Sequence, residues 1–365
     1  MRKIAILAPY VGTINRGAET FVIELTERLI KNYEIDVYTL ASEQTIEKNI
    51  CIVRVNKSII FKIHERFYRD FKLYRKIVNK FYFIIPDVLF QKKFTQKAFK
   101  IIENKEYDLL FPNNGIWGVK YSDRLRKRKS IPFIYTGHGG IGLGEKYIID
   151  TKPNAYVCLT NKHLAWANSI KNKDTQCLVI PNGVSVMDFN TRDKATDKII
   201  ILSVAALTEF KRHELTILAV SKIPNANLII LGKGEEEKRL KKLAERYLHG
   251  RCTITSASYD SIKEYYCHAN LFVLPSREEP FGIVYLEAMA SNLPIVAPDD
   301  NQRREIISDA GLYCNVENPD EYAKTIQHAL QLEWGNKPLE RAKRFDWNNI
   351  AKEYYKLINQ IIDRK

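Results

Sequence analysis

The sequence predicts two doubly wound α/β domains facing each other across a cleft. Three observations carry this prediction. The chain has 365 residues, enough for two domains of the usual ~100–200 residues. Short apolar runs alternate with helix-period segments through both halves, as in parallel sheets covered on both faces. A tight turn, Pro181-Asn182-Gly183, and a polar run at 190–198 separate the halves. The boundaries so placed are 1–183, 184–345 and a last helical segment at 346–365.

In the first half, residues 3–8, 35–40, 108–111 and 132–136 read as buried strands, followed by a fifth at 156–160. Residues 19–31 put Phe21, Val22, Leu25, Leu29 and Ile30 on one helical face. The second half repeats the pattern, with strands at 199–205, 227–231, 253–255, 271–274 and 294–297. Helices are expected at 213–221, 235–247, 261–268, 282–290 and 319–332. The last helix, 347–362, has no strand after it and must pack on something already built. Sheets of this class bind ligands at the carboxyl ends of their strands.

Composition narrows the function. No apolar run approaches the ~18–20 residues of a membrane span. The start, Met1-Arg2-Lys3 and an apolar run, is followed at once by Gly12, Asn15 and Arg16 with no small-residue cleavage pattern. A first strand and a cytosolic protein are therefore expected. The six cysteines are scattered with no C-x2-C pair, no D-x-D or H-E-x-x-H occurs, and Asp299-Asp300 is adjacent rather than spaced. Neither a metal nor a resident cofactor is expected.

The net charge of +14 lies wholly in residues 1–183, which hold 31 Lys and Arg against 17 acids, while the remainder holds 26 of each. An anionic partner for the first half follows. Residues 56–100 carry twelve Lys and Arg against Glu65, Asp70 and Asp87, with eleven aromatics interleaved. Phe67, Phe71, Tyr74, Val78 and Phe81 recur at helical spacing, with Lys72, Arg75, Lys76 and Lys80 between them. Such a surface can lie on an anionic membrane, apolar side down. It can equally be an ordinary helix with its aromatic stripe in the core, and periodicity does not separate the two. A second basic cluster lies at 124–129. No nucleic-acid module accompanies the charge, so no nucleic acid is expected as partner.

The most informative segment is 271–297, LFVLPSREEPFGIVYLEAMASNLPIVA. A strand ends at Pro275, a loop carries Glu278, Glu279 and Pro280, and a helix apolar almost all round begins near Gly282. Glu287 interrupts that helix, and a carboxylate there needs a partner. At ~1.5 Å per residue, Glu279 and Glu287 stand roughly 12 Å apart along the axis. That length suits the two ends of a nucleoside-diphosphate sugar, with helix amides and Gly282 between them to meet an anion. The structural alternative is a solvated Glu279 and a Glu287 paired with a core Arg or Tyr. Lys211 and Arg212 stand at a helix start, where cations are mildly disfavoured unless an anion is bound. His138 lies in Gly137-His138-Gly139-Gly140-Ile141-Gly142, formally G-x-G-x-x-G. The motif follows a late strand and no acid follows at the right distance, which excludes a nicotinamide site. A glycine-rich loop over a cleft or a structural loop histidine remain.

The 271–297 segment resembles the Glu-x7-Glu signature of the retaining family 4 glycosyltransferases of GT-B fold. Gly17-Ala18-Glu19 resembles the family's glycine loop, Pro181-Asn182-Gly183-Val184 its interdomain turn, and residues 203–220 its phosphate-binding strand, loop and helix. Leu231-Gly232-Lys233-Gly234 resembles its next strand end, and residues 345–358 the helix that returns to the first domain. The resemblance implies Rossmann-like domains, the first binding an acceptor and the second a nucleotide-sugar donor, UDP-linked or GDP-mannose. It implies that Glu279 contacts donor-sugar hydroxyls and Glu287 the ribose, while amides of Phe281, Gly282 and Ile283 hold sugar and phosphates. Lys211, with Arg212, would neutralise the departing diphosphate. Gly232 would line the donor site, Gly17 would let the first loop approach, and His138 would stand near the donor sugar. The implied activity is metal-independent hexosyl transfer with retention, by front-face attack assisted by the leaving diphosphate. The expected acceptor is a lipid-linked or surface glycan, reached by a cytoplasmic protein peripheral on the inner face of the membrane. Two departures stand out: Ala206 where the family often has Arg, and Asn292 for a usual Gly. The rival readings are a sugar-nucleotide epimerase or glycoside phosphorylase on the same fold, or a non-catalytic subunit at the membrane.

Overall fold

The computed structural model of the protein describes residues 1–12, 17–40, 50–52, 59–78, 85–113, 115–189 and 198–364. The chain forms two compact α/β units, Met1–Ile180 with Ala351–Lys365, and Pro181–Ile350.

In the first unit β1 (Lys3–Leu7) leads to α1 (Gly17–Leu29), β2 (Glu34–Thr39) and β3 (Ile50–Ile52). Helices α2 (Ile59–Asp70), α3 (Lys72–Val78) and α4 (Pro86–Ile102) follow, then β4 (Leu109–Pro112) and α5 (Ile116–Lys129). The unit continues through β5 (Ile134–Thr136), α6 (Leu143–Ile149), β6 (Ala155–Cys158), α7 (Asn161–Ile170) and β7 (Gln176–Val179). The strands pair in parallel in the orders β3-β2-β1-β4 and β5-β6-β7, and a parallel bridge between Leu110 and Phe133 joins the two sets. β1 and β4 are continuous apolar runs because both faces are covered: Ile4, Ala5, Ile6, Leu109, Leu110 and Phe111 are all buried. Strand order reverses between β1 and β4, so the carboxyl ends at Leu7 and Pro112 open the crevice where such sheets take ligands.

In the second unit α8 (Val186–Phe189) precedes β8 (Ile199–Val204), a 3-10 turn at Glu209–Lys211 and α9 (His213–Ser221). Then come β9 (Ala226–Leu231), α10 (Glu237–Leu248), β10 (Cys252–Thr255), α11 (Tyr259–His268), β11 (Leu271–Val273) and α12 (Ile283–Ala290). The unit ends with β12 (Ile295–Pro298), α13 (Asn301–Ile307), β13 (Gly311–Cys314), α14 (Pro319–Gln331), α15 (Lys337–Lys343) and the start of α16 (Trp347–Asp363). The sheet is parallel with order β10-β9-β8-β11-β12-β13, and its reversal lies between β8 and β11. The loops leaving these two strands carry Lys211 and Glu279, so the topology alone brings both to one crevice. α14 starts where Asn318 accepts hydrogen bonds from the amides of Asp320 and Glu321, with Pro319 in the first turn.

The turn after Ile180 is tied within the second unit. The Val184 amide donates to the Phe345 carbonyl at 2.9 Å, and a Cβ on Gly183 would stand 2.4 Å from the Trp347 ring. Glycine is what lets Trp347 pack there. The later part of α16 belongs to the first unit, where Tyr354 is buried against Phe21 and Phe111 and its hydroxyl meets Thr136 Oγ1 at 2.9 Å. Asn292 takes φ +53, the left-handed conformation that the usual glycine adopts freely and asparagine tolerates.

Candidate active site

The second unit gathers most of the expected donor residues at the β8/β11 crevice. Lys211 closes the 3-10 turn, and its Nζ lies 2.5 Å from Glu279 Oε2, with the two side chains 21% and 12% exposed. Ser276 Oγ also donates to Glu279 Oε2, at 3.3 Å. The Gln302 side-chain amide donates to the backbone carbonyls of Glu279 and Pro280. Gly282 starts α12 with φ +90, and a Cβ there would stand 2.6 Å from the Tyr285 ring. No side chain caps this helix, so the amides of Ile283 and its neighbours present the positive end of the helix beside Lys211 and Glu279. Phe281 is buried against Phe345.

Glu287 lies one turn from the end of α12, and the Tyr266 hydroxyl donates to its Oε2 at 2.7 Å. Burial pushes its carboxyl above the usual range, and the Tyr266 bond partly offsets this. Of the two sequence alternatives for this residue, the structure supplies the tyrosine partner without removing Oε1 from use. Gly232 has a packing reason of its own: a Cβ would stand 1.9 Å from the Ala205 carbonyl. The loops after β8 and β9 thus touch backbone to backbone, and the Leu207 amide donates to the Lys233 carbonyl at 3.0 Å.

Arg212 lies elsewhere than beside Lys211. It takes φ +53, and its buried guanidinium donates to the Pro275 carbonyl and to Glu317 Oε1, both at 2.7 Å. It braces the base of the loop that carries Glu279 and adds no second cation next to it. Ala206 is exposed.

The first unit places His138 and the start of α1 at its own crevice, β1/β4. His138 Nε2 meets Asn113 Oδ1 at 3.0 Å, and Asn113 Nδ2 donates to the Ala18 carbonyl at 3.2 Å. This chain of bonds makes Nε2 the protonated nitrogen. The ring also stands edge-on to Phe21 at 4.6 Å, and burial pushes its pKa down to about 3, so the imidazole is neutral at physiological pH. Gly17 is the first residue of α1 and is exposed. The residues just before it, 13–16, lie outside the described ones.

Both halves of the chain match known families. Residues 15–187 match Glycosyltransferase Family 4 and residues 187–352 match Glycosyl transferases group 1. The chain belongs to the family 4 glycosyltransferases. Two uncharacterized glycosyltransferases of Methanocaldococcus jannaschii are 32% identical over 51% of the chain and 25% identical over 98% of it. The alignments span 55% of the first of these proteins and 97% of the second. A lipopolysaccharide core biosynthesis glycosyltransferase, LpsE, of Rhizobium meliloti is 28% identical over 40% of this chain and 44% of its own length. Among solved structures, a sucrose-phosphate synthase from Thermosynechococcus elongatus superposes over the full length of both chains with TM-score 0.77 at 19% identity. HepE of Anabaena, in complex with UDP and glucose, covers 98% of this chain and all of its own with TM-score 0.74 at 16% identity. These structures share the GT-B fold of two Rossmann-like domains.

Sequence reasoning about this glycosyltransferase missed Arg303. The side chain is buried on α13, and its Nη2 donates to the Ser276 carbonyl at 2.7 Å and to Ser276 Oγ at 2.9 Å. Its Nε donates to the Tyr285 hydroxyl at 3.3 Å, and Asp300 pairs with it. Arg303 therefore holds the loop that presents Glu279. The one available signal was Asp300, a helix-capping residue three positions earlier.

The basic stretch 56–100 divides. Phe67 on α2 and Phe71, between α2 and α3, stack on each other and stay exposed, as do Ile63 on α2 and Leu73 and Ile77 on α3, while Val78 is buried. α4 behaves as the core alternative requires, with Val88, Phe94 and Phe99 buried. Lys80 and Phe81 lie outside the described residues. Among the described residues no helix is long and apolar enough to cross a membrane.

Proposed function

We propose that the protein transfers a hexosyl group, with retention and without a metal, from a nucleoside-diphosphate sugar to a lipid-linked or surface-glycan acceptor. UDP is the favoured donor nucleotide and GDP-mannose the alternative. The observation that carries this reading is the Lys211–Glu279 pair, fixed at the uncapped N-terminus of α12. The bond from the anomeric carbon to the diphosphate breaks with charge developing on phosphate oxygen, and a preorganised cation and helix amides stabilise that charge. The acceptor oxygen forms the new bond on the same face, and its proton passes to the departing diphosphate. Glu279 bonds the donor-sugar hydroxyls, and Glu287, oriented by Tyr266, takes the ribose. A neutral His138 at the β1/β4 crevice serves as hydrogen-bond partner for a sugar hydroxyl. LpsE acts in lipopolysaccharide core biosynthesis and HepE was solved with UDP and glucose, which supports the donor and acceptor classes.

The test is nucleotide release from a panel of UDP- and GDP-sugars by the purified protein, repeated with EDTA, beside Glu279→Ala. Release from one donor that persists in EDTA and is lost in the variant supports the reading. Tight donor binding with no turnover in the presence of lipid-linked glycans would favour a non-catalytic subunit, and no binding of any sugar nucleotide would refute the proposal. For the acceptor side, the exposed Phe67, Phe71, Ile63, Leu73 and Ile77, on α2 and α3 and between them, support contact with an anionic membrane surface. Sedimentation with anionic vesicles, reduced in Phe67→Ser/Phe71→Ser, checks that contact. Equal sedimentation of wild type and variant would count against it.

A further inference from the structure

Beneath the His138 loop the first unit buries a polar relay that the transfer reaction does not use. Glu145, on α6 and 6% exposed, accepts the Gly139 amide on Oε1 at 2.9 Å and the Tyr156 hydroxyl on Oε2 at 2.7 Å. Tyr156, on β6, meets His163 Nε2 of α7 at 3.0 Å, and His163 Nδ1 is buried without a partner. A hydroxyl has one proton. If Tyr156 donates to Glu145 it must accept from His163 Nε2–H, which leaves Nδ1 as a bare lone pair. That arrangement is the cheaper one, because a buried N–H without an acceptor costs more than an idle acceptor. With Glu145 ionised the relay therefore runs from His163 through Tyr156 to Glu145, and it ends on the backbone of the glycine turn.

The turn lies directly on this relay. A Cβ at Gly137 would stand 2.3 Å from the Tyr156 hydroxyl oxygen, and one at Gly139 would stand 2.8 Å from Glu145 Oε1. Between these two glycines sits His138, whose other anchor is Asn113 and, through it, the Ala18 carbonyl at the start of α1. We propose that Glu145 is a positioning residue: backed by Tyr156 and His163, it holds the turn at 137–139 so that the His138 imidazole stays bonded to Asn113. The inference rests on the reading of His138 as a group that serves the transfer. The titratable groups that act on Glu145 are Tyr156 and Cys158 on β6, with His163 on α7 reaching it through Tyr156 and His138 lying next to the Gly139 amide that it holds. Among the described residues no cation is paired with it, so Glu145 acts by hydrogen bonding and shape.

The experiment follows the His138 ring itself. In imidazole nitrogen–proton correlation spectra of the full chain, wild-type His138 is expected not to titrate between pH 5 and 8. In Glu145→Ala the turn loses its anchor, His138 titrates with a midpoint near the ordinary ~6.5, and kcat falls about 10–100-fold, the cost of a misplaced group. Donor KM should change far less, since the loss is one of placement in the transition state. Glu145→Gln keeps an acceptor for Gly139 and offers a donor to Tyr156, and should restore both the flat titration and most of kcat. A His138 that stays flat in Glu145→Ala with kcat intact would overturn the proposal, as would Glu145→Gln failing as badly as the alanine variant. If Glu145→Ala does not fold, Tyr156→Phe carries the same test, because it cuts the relay and keeps the ring. His138→Ala with unchanged kcat would be a different failure: it would remove His138 from the transfer even if the spectra show that Glu145 anchors the turn.

Discussion

Replacing Lys211 by Met separates two things that one side chain does. Lys211 Nζ lies 2.5 Å from Glu279 Oε2, and the side chains are 21% and 12% exposed. As part of the fold, a fully exposed pair would contribute about 0–1 kcal/mol. This one is more buried, but Ser276 still donates to Glu279 at 3.3 Å, so removing the cation should cost roughly 1–2 kcal/mol of stability. As a preorganised cation for the departing diphosphate, its loss should lower kcat about 10²–10³-fold, or ~2.7–4 kcal/mol. The catalytic effect is the larger, and a double-mutant cycle with Glu279→Gln isolates it. Urea unfolding and nucleotide release at saturating donor would be measured for both single variants and the double. The double variant should regain most of the stability, because a neutral amide in place of the Glu279 carboxylate needs no cation. Its rate should stay well below that of Glu279→Gln alone, because the diphosphate still lacks its partner. A double variant as active as Glu279→Gln alone would show that Lys211 only neutralises Glu279, and the catalytic argument would be refuted.

Three further outcomes are expected. Gly282→Ala should destabilise by about 2 kcal/mol more than Gly250→Ala, since both glycines have positive φ but only the first Cβ meets a buried ring; equal losses in urea unfolding would count against that steric term. Tyr266→Phe removes the hydrogen bond that lowers the Glu287 pKa, so stability should fall by about 1–3 kcal/mol and UDP should bind more weakly by calorimetry; unchanged UDP affinity would show that Tyr266 does not orient Glu287 for the ribose. Burial raises Glu145 from 4.5 to about 7, so the folded state holds its proton more tightly than the unfolded one. Its contribution to stability is full below about pH 4.5 and is lost as pH rises through about 7, by up to ~3 kcal/mol. The wild type should therefore lose stability relative to Glu145→Gln between pH 4 and 8, and a constant difference would contradict the raised pKa.

The fold was legible where burial alone decides the residue type. β1, β4, β8, β11 and β12 are apolar runs because helices cover both their faces. β3, β7 and β13 were not foreseen: β3 and β13 lie at sheet edges, and β7, with Gln176, and β13 are half-exposed in part. Lys211, Glu279, Gly282 and Glu287 could be picked out as site candidates because the chemistry and the strand-loop-helix spacing lie within short segments. Arg303 was not, because its partners Tyr285 and Ser276 are 18 and 27 residues away and its own helix, NQRREII, looks solvated. Glu145 was hidden for the same reason, its hydroxyl partner lying on the next strand. Lys211 and Arg212 read as twin cations, but a φ of +53 at Arg212 sends consecutive side chains to different places. A charge pair in sequence says nothing of direction when a left-handed residue stands in it.

That divergence bears on Ala206, the position where the family resemblance expects arginine. Arg212 cannot supply the missing charge, because its guanidinium is committed to Pro275 and Glu317. The backbone offers another source. The Leu207 amide donates to the Lys233 carbonyl at 3.0 Å, so the exposed Lys233 stands across from Ala206–Leu207 where the loops after β8 and β9 meet. Its flexible side chain can bring a point charge to a diphosphate but not the fork of a guanidinium. Lys233→Met should therefore raise donor KM several-fold in the wild-type background. In Ala206→Arg the same substitution should matter little, because the arginine now holds the phosphates. If Lys233→Met has the same effect in both backgrounds, Lys233 does not stand in for the arginine, and the loop binds its donor through Lys211 and the α12 amides without a second cation.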